Sequence, residues 1–177
     1  MKRTLAYTAA FGLILSLYAS AQSAAPQVTV LGNSIDIPLS TDTLDTMRLQ
    51  GVDATTISAQ ELRLHQNDPL ILILGGQNSP EGVGEIVGGI LNISEQEELV
   101  SSPYARTVQV YPNLWCINQT VVILAGYSKE QTHKAFADSA GDIVRILTQN
   151  GTAISLGNET PTTGIHPTLD FSQLKVC

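Results

Sequence analysis

The residues best placed to do chemistry form a glycine-rich turn, Leu74-Gly75-Gly76-Gln77-Asn78-Ser79-Pro80, between an apolar run and a helical pattern. Such a turn presents backbone N–H groups at the positive end of a helix, where an anion can bind. It lacks the Lys-Ser/Thr of a P-loop and the G-x-G-x-x-G spacing of a dinucleotide fold, so a structural turn is preferred to a phosphate site. Ala125-Gly126-Tyr127 ends a second apolar run in the same manner. Two strand ends of this kind can line one crevice, where open α/β sheets bind ligands, although tight turning accounts for the glycines equally well. The candidate ligand turn is therefore Gly75, Gly76, Gln77, Asn78, Gly126 and Tyr127.

A nucleophilic reading starts from Cys116. Ile73 to Ser79 resembles the glycine loop of class I glutamine amidotransferases, and a Cys and a later His166-Pro167 follow it. Such an enzyme needs its Cys on a strained Gly-x-Cys-x-Gly elbow. The context here is Leu114-Trp115-Cys116-Ile117-Asn118, and Thr168 stands where that pattern has an acidic partner. An amidotransferase-like or hydrolase-like enzyme using Cys116 and His166 is the alternative, and the lead reading assigns no catalytic residue. His65, His133 and His166 are dispersed, without paired ligand spacing. Glu95, Glu97 and Glu98 form a charge run that suits a solvated helix face better than a calcium site. No metal site and no cofactor are expected.

The two cysteines, Cys116 and Cys177, are most simply one disulfide in an oxidising compartment. It would close a loop of about 60 residues, worth about 4 kcal/mol in the chain-entropy model. Two free thiols, or a cross-link from Cys177 to another chain, are the competing arrangements. The N-terminus agrees with export. Lys2 and Arg3 precede an apolar stretch from Leu5 to Ala19, and Ala19-Ser20-Ala21 supplies a small-x-small site, so cleavage is expected after Ala21. That stretch is short for a bilayer span of about 20 residues, and an uncleaved signal anchor is the competing reading. No transmembrane segment is expected after cleavage.

The whole chain of 177 residues carries 9 Lys+Arg against 16 Asp+Glu, a net charge of −7. Removing residues 1–21 leaves 7 basic and 16 acidic residues, a net −9. An acidic chain with 5% aromatics offers neither the cations that neutralise phosphates nor surfaces for base stacking, which excludes a nucleic-acid partner. With 43% hydrophobic and 14% charged residues, it is also too apolar to be disordered. Four Asn-x-Ser/Thr sequons begin at Asn92, Asn118, Asn150 and Asn158. Chance placement of 8 Asn against 31 Ser and Thr gives one or two, so the excess suits a glycosylated cell-surface protein.

The elements that must position the turns alternate between strand and helix. Strands are expected at 28–31, 52–57, 70–74, 107–111, 120–125 and 153–156. Residues 35–39 read as a further extended piece or hairpin return. Leu70 to Leu74 and Thr120 to Ala125 are uninterrupted apolar runs of the kind buried on both faces. Helices are expected over 40–50, with Leu44, Met47 and Leu49 spaced for one face. Others start after Ser79 with Pro80 at the first position, at the Ser94-Glu97 capping box, and at the Ser128-Gln131 capping box. This alternation predicts an α/β fold, a single layered domain over 22–156 with a mainly parallel central sheet, and a loop-like tail over 157–177.

The core also resembles the α/β domain of archaeal S-layer proteins. The likeness rests on Leu70-Ile-Leu-Ile-Leu-Gly-Gly-Gln-Asn-Ser79, on Thr107 to Asn113, and on Val121-Val-Ile-Leu-Ala-Gly-Tyr-Ser128 with Thr132 and Ala135. It spans about residues 52–149, and it departs at Gln77, where the family usually has Pro, and at Gln131, where an acidic residue commonly stands. The resemblance implies a secreted cell-envelope protein, often glycosylated, that acts by assembly or binding and has no catalytic residues to carry over. Its partners would be further copies or other envelope proteins, with divalent cations bridging acidic surfaces.

Overall fold

The computed structural model describes residues 25–148. The leader, the strand expected at 153–156, the tail and Cys177 lie outside the described residues. Five strands form one sheet: β1 (Gln27–Leu31), β2 (Asp53–Ile57), β3 (Leu70–Leu74), β4 (Arg106–Pro112) and β5 (Thr120–Gly126). Their order is β2-β1-β3-β5-β4; β1, β2, β3 and β5 are parallel, and β4 pairs antiparallel with β5. Six helical segments pack on it: α1 (Asp36–Leu39), α2 (Thr41–Leu49), α3 (Leu62–His65), α4 (Val83–Ile90), α5 (Ile93–Val100) and α6 (Lys129–Thr148). The expected α/β class and mainly parallel sheet are what the chain forms.

Alternation along the two central strands divides the core. Leu70, Leu72, Leu74, Val122 and Leu124 face α2 and α6, meeting Leu44, Met47, Phe136 and Ile143. Ile71, Ile73, Val121 and Ile123 face the other way, onto Leu62, Val83, Val87 and Leu99 of α3, α4 and α5. Every residue of β3 is buried, and each large apolar side chain withdrawn from water contributes about 1.5–3 kcal/mol. β4 lies at an edge of the sheet, and of its residues only Thr107 is buried.

Connections from β1 return on the α2 face, and those from β3 return on the α4 face. β1 and β3 are nevertheless neighbours, in register from Thr29↔Ile71 to Leu31↔Ile73. The chain therefore leaves these adjacent strands in opposite directions, which opens a crevice at their carboxyl ends.

Several local expectations need correction. Residues 36–39 are a helical turn and not an extended return. Asn33 Oδ1 accepts the N–H groups of Ile35 and Asp36, both at 2.8 Å, which starts the turn, and Pro38 falls where a first-turn N–H lacks a partner anyway. α4 begins at Val83 rather than at Pro80. Glu81 (φ 62°) and Gly82 (φ 87°) are left-handed, so the helix cannot start before them. In α5 the cap is Asn92, not Ser94: its side chain accepts the Glu95 N–H at 3.0 Å while Glu95 accepts the Asn92 N–H at 2.7 Å. At α6 only half of the expected box forms. Ser128 Oγ accepts the Gln131 N–H at a long 3.4 Å, and Gln131 Oε1 has no hydrogen-bond partner among the described residues. Leu49 is 89% exposed and not part of the α2 apolar face.

Candidate functional site

Three loops meet at the carboxyl edge of the sheet. The first follows β1 and carries Asn33 to Asp36; the second follows β3 and runs from Gly75 to Gly82; the third joins β5 to α6 through Tyr127 and Ser128. They enclose an open cleft of about 230 Å³, walled on one side by Leu99 and Val100 of α5. The glycine turns after β3 and β5 lie against each other. A Cβ on Gly76 would come within 3.2 Å of the Gly126 carbonyl oxygen, and the Gly75 N–H donates to Leu124 O at 3.1 Å. Gly76, Gln77, Asn78, Gly126 and Tyr127 all line the cleft, so the structure brings the two sequence-derived turns together. Gly75 sits just behind, in a left-handed conformation at φ 142°.

The polar groups at the cleft are individually held. Asn33 is 2% exposed and Asp36 5%. Asn33 Nδ2 donates to Asp36 Oδ2 at 2.6 Å, the same Asn that starts the α1 turn through its oxygen. Burial pushes the pKa of Asp36 above the ordinary carboxylate range; the Asn33 bond opposes this, neighbouring Glu130 adds to it, and Lys129 offsets part. The β1 and β3 loops are tied across the switch point. The Ser34 N–H donates to Glu81 Oε2 at 2.9 Å and the Ser34 hydroxyl donates to Glu81 Oε1. Those two bonds hold the Glu81 carboxyl below its ordinary range and account for the unusual backbone at Glu81.

Gln77, where the resembled family usually has Pro, reaches α5: its Nε2 donates to Gln96 O at 3.0 Å. Gln96 in turn donates to Gly88 O and Leu91 O, joining the glycine turn to the α4–α5 corner. On the far side α6 points its positive end at the cleft, with Ser128, Lys129 and buried Thr132 in the wall. Glu130 is held below the ordinary range by the Ser128 hydroxyl and then by its own N–H.

Sequence reasoning missed Asn33, Ser34, Asp36 and Lys129. One signal was present, since Asn33 followed three residues later by Asp36 is a helix-start pattern.

The other candidates lie elsewhere. Cys116 is half-buried in the connection between β4 and β5, at the opposite end of the sheet from the cleft. Its proposed partners, Cys177 for a disulfide and His166 for catalysis, lie outside the described residues. His65 Nδ1 lies 2.8 Å from Asp68 Oδ2 before β3, whereas His133 is on α6. Among the described residues no three His, Cys, Asp or Glu side chains cluster to hold a metal ion, and no helix is long and apolar enough to cross a membrane. Asn92 and Asn118 are exposed, while Asn150 and Asn158 lie outside the described residues. The sequon at Asn118 runs into the buried residues Gln119 and Thr120.

These features define an open, mostly parallel α/β domain with a polar cleft at its topological switch point. No protein-family model matches the chain, and no curated protein matches it.

Proposed function

We propose that this chain is an exported cell-envelope protein whose α/β domain works by binding, with the carboxyl-end cleft as its recognition site. The observation that carries the reading is the convergence of the Gly75–Asn78 turn, the Gly126–Tyr127 turn and buried Asp36 on one cleft. One buried carboxylate and one ammonium on a partly apolar concave surface suit a small-ligand site. Export is supported by the leader and the acidic balance, and an envelope role by the sequon excess and the likeness to archaeal S-layer domains. Cys116, at the other end of the sheet, takes no part.

Two measurements test this. Native protein recovered from the envelope fraction is expected to start at Gln22 and to carry glycan mass at Asn92. A cytoplasmic chain that retains residues 1–21 overturns the envelope role. Small polar fragments titrated into the ¹⁵N-labelled full chain are expected to move amides of the three loops, and shifts confined to other surfaces overturn the cleft as the binding site.

One observation favours a second reading, self-assembly through the sheet. The outer strand β2 is blocked at Ala54, whose carbonyl accepts Arg48 Nη2 at 2.9 Å and Nε at 3.3 Å. Among the described residues no strand lies beyond β4, which leaves that edge to receive one. Sedimentation velocity at rising concentration decides it: a single monomeric species throughout sinks this reading.

A further inference from the structure

We propose that the cleft binds a free α-amino acid with an apolar side chain, its ammonium group against Asp36 and its carboxylate against Lys129 and the first turn of α6. The proposal rests on the cleft being a binding site and adds the chemical class of its ligand. Asp36 and Lys129 both line the cleft, yet they do not pair with each other, and neither is in an ion pair among the described residues. Buried as it is, Asp36 has one hydrogen bond, from the amide of Asn33, and its charge is offset only in part by Lys129 nearby. A carboxylate in such a place gains most from a cation that enters with its own counter-charge. At the same cleft, the ammonium of Lys129 and the positive end of the 20-residue helix α6 favour an anion. A singly charged carboxylate suits Lys129, because Glu130 and Asp36 nearby repel a doubly charged phosphate.

The walls fit the rest of the molecule. Ile35, Pro80, Leu99 and Val100 give the cleft an apolar part beside its charged groups. Its volume of about 230 Å³ is below the range of drug-sized pockets, which starts at about 300 Å³. An aliphatic amino acid supplies one ammonium, one carboxylate and one apolar branch in that space.

The test is a set of amide-shift titrations on the ¹⁵N-labelled full chain at neutral pH. The probes are L-leucine, 4-methylpentanoate (no ammonium), isoamylamine (no carboxylate) and inorganic phosphate. Leucine is expected to move the amides of Gly76, Asn78, Gly126, Ser128 and Lys129 saturably. Each half-molecule is expected to bind at least about tenfold more weakly, the loss of one charge-assisted contact. Asp36→Asn is expected to weaken leucine by about the same factor. Lys129→Met, on an exposed side chain, carries the test should Asp36→Asn fail to fold. Leucine binding that neither variant changes overturns the proposal. So does a cleft that answers to phosphate, or to other fragments, and not to leucine, although it remains a binding site. A cleft that answers to none of these probes and to no fragment removes the underlying reading as well.

Discussion

Replacing Gly126 by Ala tests whether the cleft is built by close approach of β5 to α6. A Cβ on Gly126 would lie 2.4 Å from Gln131 Cβ, 2.5 Å from the Gln131 carbonyl carbon and 2.5 Å from the Thr132 nitrogen. Two of the three are backbone atoms, so no side-chain rotation relieves the overlap. Carbon atoms rest about 3.5–4.0 Å apart, so the start of α6 must retreat by about 1 Å. That helix is not free to move, because Phe136 and Ile143 are wholly buried against the sheet. Overpacking of this kind costs about 1–3 kcal/mol, and a rigid helix places Gly126→Ala near 3 kcal/mol. Gly141→Ala in the same helix is the control, because its Cβ would meet nothing within 4 Å. Removing that mid-helix glycine is expected to stabilise by about 1 kcal/mol. Urea titrations of the full-length variants, followed by far-UV circular dichroism, measure the swing of about 4 kcal/mol between them. In thermal unfolding each kcal/mol moves the midpoint by about 4 °C. A Gly126→Ala midpoint equal to that of the parent refutes the close-approach account and leaves the glycine unexplained.

Two further outcomes follow from the polar contacts. Burial raises the Asp36 pKa above its ordinary value, so between the two values the folded chain holds a proton that the unfolded chain has released. Stability contributed at this site therefore falls as pH rises through that window and stays low above it. Relative to the parent, Asp36→Asn is expected to gain stability as pH climbs from the acid range to neutrality; a pH-independent difference in urea midpoints defeats the assignment. At α5, Asn92→Ala is expected to cost about 1 kcal/mol through loss of the cap, whereas Ser94→Ala stays within about 0.5 kcal/mol. Both variants abolish the same sequon, so equal stability losses in unglycosylated protein contradict the placement of the cap, and a glycan that persists at Asn92 in Ser94→Ala contradicts the sequon.

The layers of this fold were legible because hydrophobic pattern is a local quantity. Leu70–Leu74 and Val121–Ala125 have no polar residue to offer water, so each must be covered on both faces and lie inside a sheet. Val108, Val110 and their polar neighbours alternate, which marks an edge. Burial of this kind places β3 and β5 inside the sheet, but it does not give the strand order, because β1 is interior as well. The antiparallel direction of β4 was not legible, since direction depends on how the chain returns through 113–119. Nor was the start of α5. Both Asn92 and Ser94 are competent caps with a Glu three residues on, and in the folded chain the Glu that closes the box, Glu95, also serves Tyr111. Its hydroxyl donates to Glu95 Oε2 at 3.0 Å. Burial, and then that contact, push the Tyr111 pKa upward.

The misread segments around the cleft share a cause. Residues 35–39 read as extended, and the helix after β3 was placed three residues early. In the folded chain these stretches, Asn33–Leu39 and Ser79–Gly82, are bonded to each other through Ser34 and Glu81. Their backbones take shapes that neither stretch favours alone: an isolated helical turn in one, left-handed Glu81 and Gly82 in the other. A conformation that depends in part on a partner 47 residues away leaves little trace in local propensity. Strain of this sort is retained where the surrounding structure over-determines it, and it persists at sites that must present groups in set positions. Here it sets Asp36 beneath the cleft and delays α4, so that Asn78, Ser79 and Pro80 remain as cleft wall instead of being wound into a helix. The places where local rules fail are therefore the places that build the cleft, and this supports a binding role there more strongly than the glycines do.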